Sequence, residues 1–194
     1  MSRTTRCALL AALLLAPGLA AADTIQLQVT LTPAPADLGD LDHYEVYFWG
    51  FDAAPDQRSV LSAATLRFHN IRDWTDESNV LYTHLLDYAA LGVRTVTDNQ
   101  GGGDYFVTRY TGANRHLVTY RDLSTTPQDL VYVFSNDDVA ALTGYLADGR
   151  AGLGFDPDCH FFNDGVELTL MYTPEPPSLG LLALGGLGLL RRRR

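Results

Sequence analysis

The chain has 194 residues, is 46% hydrophobic, carries a formal charge of −9 at neutral pH and contains no lysine. A chain of this length can bury one core without staples. Its acidic balance excludes nucleic acid and anionic lipid headgroups as natural partners, because both demand cationic surface.

The N-terminus reads as an export signal. Arg3 and Arg6 are the only charges before an apolar run from Cys7 to Ala16. Pro17 and Gly18 break that run, and Ala20, Ala21 and Ala22 supply the small-residue pattern at which signal peptidase cuts. Residues 1–22 are therefore expected to leave as a signal peptide. Cys7 leaves with them, so Cys159 is the sole cysteine of the body and no intramolecular disulfide is expected. The body, residues 23–173, holds eight arginines and twenty-two acidic residues, a formal charge of −14.

The body alternates with period two over many short stretches. Thr24–Thr32 places Ile25, Leu27, Val29 and Leu31 on one face. Strands are further expected at His43–Phe51, Ala64–Ile71, Val80–Leu86, Tyr105–Tyr110, His116–Arg121, Leu130–Ser135 and Val166–Tyr172, with Gly, Asn and Asp turns between them. One segment departs from the pattern. Asn136, Asp137 and Asp138 suit a helix start, and Val139, Leu142, Tyr145 and Leu146 follow at helical spacing, which predicts one short helix over Asp137–Ala147. The expected fold is all-β: a single jelly-roll-like antiparallel sandwich with one short helix. Its first and last strands are expected to lie together.

The densest polar stretch runs from Gly154 to Gly165. Asp156, Asp158, Asn163 and Asp164 offer oxygens of the kind Ca²⁺ takes. Asp-Pro and Asn-Asp-Gly are equally ordinary turn formers, so a turn and a Ca²⁺ site both stand as readings. No cofactor is required, and Ca²⁺ is the one ion this stretch would suit. Cys159 and His160 point to opposite faces if extended, so no nucleophile–base pair is expected and the thiol reads as buried and inert. No zinc site is expected either, since there is no second cysteine in the body and His43, His69, His84 and His116 show no ligand spacing. Trp74, among Arg72, Asp73, Asp76 and Glu77, is a candidate platform for a sugar ring, whereas Phe48 and Trp49 read as core. The acids around Trp74 are too ordinary in so acidic a chain to predict a glycosidase pair.

The tail divides into three parts: Pro174-Glu175-Pro176-Pro177, an uncharged run from Ser178 to Leu190, and Arg191 to Arg194. Hydrocarbon accepts the run and rejects the arginines, so Arg191, Arg192, Arg193 and Arg194 are expected to stay cytoplasmic with the body across the membrane. As a helix the run reaches only about 20 Å, short of the ~30 Å hydrocarbon core, which suits a temporary anchor. Pro174, Glu175 and Pro176, the apolar segment and the terminal arginines resemble the PEP-CTERM sorting signal. That resemblance implies processing by an exosortase, a transpeptidase-like membrane enzyme, in Gram-negative hosts that make extracellular polysaccharide. The expected protein is exported, briefly membrane-anchored and then at the cell surface, non-enzymatic, and associated with exopolysaccharide or biofilm. A carbohydrate-binding module is the first alternative and a polysaccharide hydrolase the second.

Overall fold

The computed structural model describes residues 26–35, 37–53, 59–99 and 102–174. The expected signal peptide with Ala20 and Ala22, and the sorting tail from Glu175 onward, lie outside these residues. Within them the elements run β1 (Leu27–Leu31), β2 (Asp40–Leu41), β3 (Glu45–Asp52), β4 (Ser59–Asp73), β5 (Val80–Leu86), β6 (Gly92–Thr97), α1 (Tyr105–Thr108), β7 (Asn114–Arg121), β8 (Gln128–Val133), α2 (Asn136–Tyr145) with a 3-10 turn over Leu146–Asp148, β9 (Arg150–Pro157), β10 (Phe161–Phe162) and β11 (Gly165–Pro174).

The strands form two antiparallel sheets. One has the order β6-β3-β9-β5-β7. In the other, β4 pairs with β11 and β10 along one edge and with β8 along the other, while β1 pairs with β11 and β2 with β10. The register of β10 on β4 (Phe162 opposite Arg72) continues that of β11 (Gly165 opposite His69), so the two are one long strand interrupted at Asn163-Asp164. Stripped of short pieces, the sheets read β1-β11-β4-β8 and β6-β3-β9-β5-β7. Apart from the extra edge strand β6, this is the strand order of a jelly roll, so the all-β sandwich expected from the period-two pattern is what forms. The first and last strands pair as expected, Leu27 opposite Tyr172 through Leu31 opposite Leu168.

The core follows from the pleat. Leu66 and Phe68 of β4 and Val166, Leu168 and Leu170 of β11 meet Trp49, Leu81, Leu85, Leu153 and Phe155 from the other sheet. The bulge between Phe68 and Ile71, with Asn70 at φ 49°, shifts the inward parity so that Ile71 is buried too.

Three expectations need correction. Tyr105–Tyr110 is not a strand: Asp104 accepts from the Phe106 amide and starts α1, whose Phe106 packs with Val46, Leu86 and Ala89 on the outer face of the second sheet. Among the described residues two α-helices therefore form instead of one. The second starts from Ser135, not from Asn136-Asp137-Asp138. The Ser135 hydroxyl accepts from the Asp138 amide while the Asp138 carboxylate accepts from the Ser135 amide, a reciprocal capping box. Last, the polar stretch Gly154–Gly165 begins inside β9, the middle strand of its sheet. Both faces of β9 are buried, which erases alternation. Its Gly154 is required by a close approach, because the Phe106 ring occupies the space a Cβ would need.

Candidate functional site

Pro174 lies opposite Ser59, the first residue of β4. Trp74 follows the last residue of the same 15-residue strand, up to roughly 50 Å away at ~3.3 Å per residue. Pro174 and Trp74 thus lie at opposite poles of the sandwich.

At the Trp74 pole the outer face of β4, β10 and β2 carries two cross-strand rows. In the first, Arg72 lies opposite Phe162 and Phe162 opposite Asp40; the Arg72 guanidinium stands 5.5 Å from the Phe162 ring centre. The second continues the same register one pair beyond the ladders and aligns Trp74, His160 and Asp42. Trp74 N–H donates to the His160 carbonyl at 3.0 Å. The Trp74 and His160 rings stack at 5.6 Å and 26°, and Trp74 is 52% exposed. The chain then turns at His43-Tyr44, closed by Glu45 N–H to the Asp42 carbonyl and by Tyr44 N–H to Asp42 Oδ1, both at 3.0 Å. His43 comes to 6.3 Å from the His160 ring. The result is a shelf of aromatic rings edged by Asp40, Asp42 and Arg72.

The inward side beneath the shelf is a sealed polar knot. Asp73, 2% exposed, accepts from Asn79 Nδ2 at 2.6 Å, and the Cys159 thiol donates to its Oδ1 at 3.1 Å. Asn79 also holds Leu123 through both its amide and its carbonyl. Burial first, then the neighbouring carboxylates of Asp73 and Glu77, push the Cys159 thiol up to about 12. Cys159 points in and His160 out, as the strand geometry of adjacent residues requires.

The four residues offered for Ca²⁺ are not brought together. Asp156 is buried in β9, and its Oδ2 accepts from the Tyr105 amide at 2.7 Å. Asp158 lies beyond β9, its amide bound to Val80. Asn163 and Asp164 belong to the other sheet's β10–β11 break. Asn163 spends its side chain on the Leu38 carbonyl and the Gly165 amide, and Asp164 accepts from Asn70 at 2.8 Å. What sequence reading missed near Asp156 is a different set: burial, followed by the charges of Asp98, Asp158 and Asp104 and opposed by the Tyr105 amide, lifts its carboxyl to about 7.

Among the described residues, two groups of three place one potential metal-ligand atom each within 4.8 Å of one another: Asp42, His43 and His160, and His84, Asp104 and His116. The second group is already spent. His84 is fully buried, with Nδ1 3.0 Å from Asn114 Oδ1 and Nε2 2.8 Å from Asp104 Oδ2, which leaves no ring nitrogen for an ion. In the first group, His43 Nδ1 is 3.9 Å from Asp42 Oδ1. His160 Nε2 is 2.5 Å from Asp40 Oδ1.

The described residues thus define an all-β jelly-roll sandwich with an aromatic and acidic shelf at one pole and the root of a tail at the other. That tail, residues 173–194, matches the family described as the PEP-CTERM protein-sorting motif, so the chain carries this sorting signal, including Pro174, Glu175, Pro176 and Arg191 to Arg194. The match is confined to the tail, and no curated protein matches the chain. Among solved structures, a similar chain is titled Desmodium yellow mottle tymovirus. It is 8% identical with a TM-score of 0.32, covering 89% of this chain and 97% of that one. A likeness this slight bears on neither fold nor function. No helix among the described residues is long and apolar enough to cross a membrane.

Proposed function

We propose that this is a non-enzymatic cell-surface protein, exported behind the residue 1–22 signal, held briefly in the membrane by its tail, processed there by an exosortase, and associated with exopolysaccharide through the Trp74 shelf. The carrying observation is polarity: the exposed, stacked Trp74 lies at the end of β4 remote from Pro174. A protein delivered by its tail turns that end away from the membrane. An indole face flanked by carboxylates and a guanidinium suits a pyranose, whose C–H face stacks while its hydroxyls take hydrogen bonds from Arg72 and give them to Asp40 and Asp42.

Binding is favoured over catalysis by where the reactive groups point. Cys159 is turned inward and held as a thiol, and Asp73 is committed to Asn79, Trp74 N–H and Cys159. The test is titration of the full-length chain with a panel of bacterial polysaccharides, read by tryptophan fluorescence. Trp49 is buried in the core, so a response that disappears in Trp74→Ala locates the ligand at the shelf. A flat response across the panel, or one that Trp74→Ala leaves unchanged, overturns sugar binding there.

A further inference from the structure

We propose that Asp42, His43 and His160 form a binding site for a divalent transition-metal ion of the Zn²⁺ class. His43 and His160 stand far apart in sequence and show no ligand spacing, and only the antiparallel β2–β10 pairing brings them together. Continued one pair past Leu41 opposite Phe161, it sets Asp42 against His160, and the turn after Asp42 folds His43 back over the same point.

One ligand atom from each residue already lies within 4.8 Å of the others. Four-coordinate sites with bonds of ~2.0–2.2 Å need neighbouring ligand atoms about 3.5 Å apart. Small rotations of His43, which sits in a turn, close that gap. All three residues are half-buried, so the ion would be partly desolvated yet reachable.

The donor set decides the class of ion. Two imidazoles and one carboxylate form a mixed nitrogen and oxygen set that suits Zn²⁺, Co²⁺, Ni²⁺ or Cu²⁺, whereas Ca²⁺ and Mg²⁺ want oxygens alone. Asp40 is the second carboxylate at this point. Its Oδ1 sits 2.5 Å from His160 Nε2, which leaves Nδ1 as the ring nitrogen for an ion. As an outer carboxylate against the His160 ring, Asp40 steadies the imidazole and adds negative charge beside the cation.

The experiment is titration of the full-length chain, purified without a histidine tag, with Co²⁺ followed by visible absorption. The expected result is a single saturable equivalent with the intense ligand-field bands of a four-coordinate site, displaced by Zn²⁺ and not by excess Ca²⁺. Affinity should fall about tenfold or more in His43→Ala, in His160→Ala and in Asp40→Asn, and stay unchanged in His69→Ala. Absence of Co²⁺ binding by the unaltered chain overturns the site, and so does equal binding by His43→Ala. If His160→Ala does not fold, His43→Ala, altered only in a turn, decides the matter. Because the readout is the metal and not a polysaccharide, failure here leaves the sugar-binding reading standing, and the reverse holds as well.

Discussion

Pro174 pairs with Ser59 at one end of β4, and Trp74 extends the other end, so a single strand separates the point where the tail leaves from the most exposed aromatic side chain of the shelf. The tail side of this arrangement is open to test. Glu175→Ala should block exosortase processing, and the protein should accumulate at its uncut mass in the native host. Loss of Arg191 to Arg194 should remove the stop in the membrane, since only the arginines resist transfer through hydrocarbon. Normal mature mass in the first variant, or unchanged membrane retention in the second, contradicts the role given to those residues.

Asp156 should make the body more stable in mild acid. Its folded value of about 7 lies above an unfolded value near 3.9. Between these limits the native state keeps a proton that the unfolded chain has released, so stability falls as pH rises through the window and levels off above it. Asp156→Asn keeps an acceptor for the Tyr105 amide and cannot ionise. It should raise stability at pH 8 by roughly 1–3 kcal/mol and flatten the profile between about pH 4 and pH 7. Urea midpoints across that range measure it, and a variant whose profile retains the wild-type slope refutes the assignment.

Asp138 should act in the opposite sense at lower pH. Burial pushes its carboxyl up, but hydrogen bonds from Ser135, Arg115 and Tyr132 more than reverse this and hold it at about 2. Its four contacts are Arg115 Nε at 2.5 Å, Tyr132 OH at 2.7 Å, and the Ser135 hydroxyl and amide at 2.6 and 2.9 Å. The stabilisation is complete above about pH 4 and is lost as pH falls toward 2. Asp138→Ala should cost about 2–4 kcal/mol at pH 7 and much less near pH 2. Ser135→Ala, which removes one cap, should cost about 1 kcal/mol. Thermal melts at the two pH values check the sign.

Two glycines should respond with opposite signs. A Cβ at Gly154 would enter the Phe106 ring, so Gly154→Ala should displace α1 and cost about 1–3 kcal/mol. A Cβ at Gly144, inside α2, meets nothing, so Gly144→Ala should stabilise by about 0.5–1 kcal/mol. Equal effects of the two substitutions on the denaturation midpoint would show that α1 does not rest on β9 as described.

Features that are local, or that follow from partition between water and hydrocarbon, are legible in the residues alone. Alternation along Val166–Tyr172 located a half-buried strand, because a pleat puts neighbours on opposite faces. The same geometry turned Cys159 from His160 before any tertiary contact was known. The three-part tail is legible because charge and hydrocarbon exclude each other whatever the fold. Other features had no local signal and arose from long-range pairing. β9 is covered on both faces and loses its alternation; Tyr105–Tyr110 alternates yet turns helical, because Asp104 caps it and Phe106 finds a partner across Gly154. Asp156 and Asp158 part from Asn163 and Asp164 because the chain changes sheets between them, and His43 meets His160 because two short strands pair across most of the chain's length.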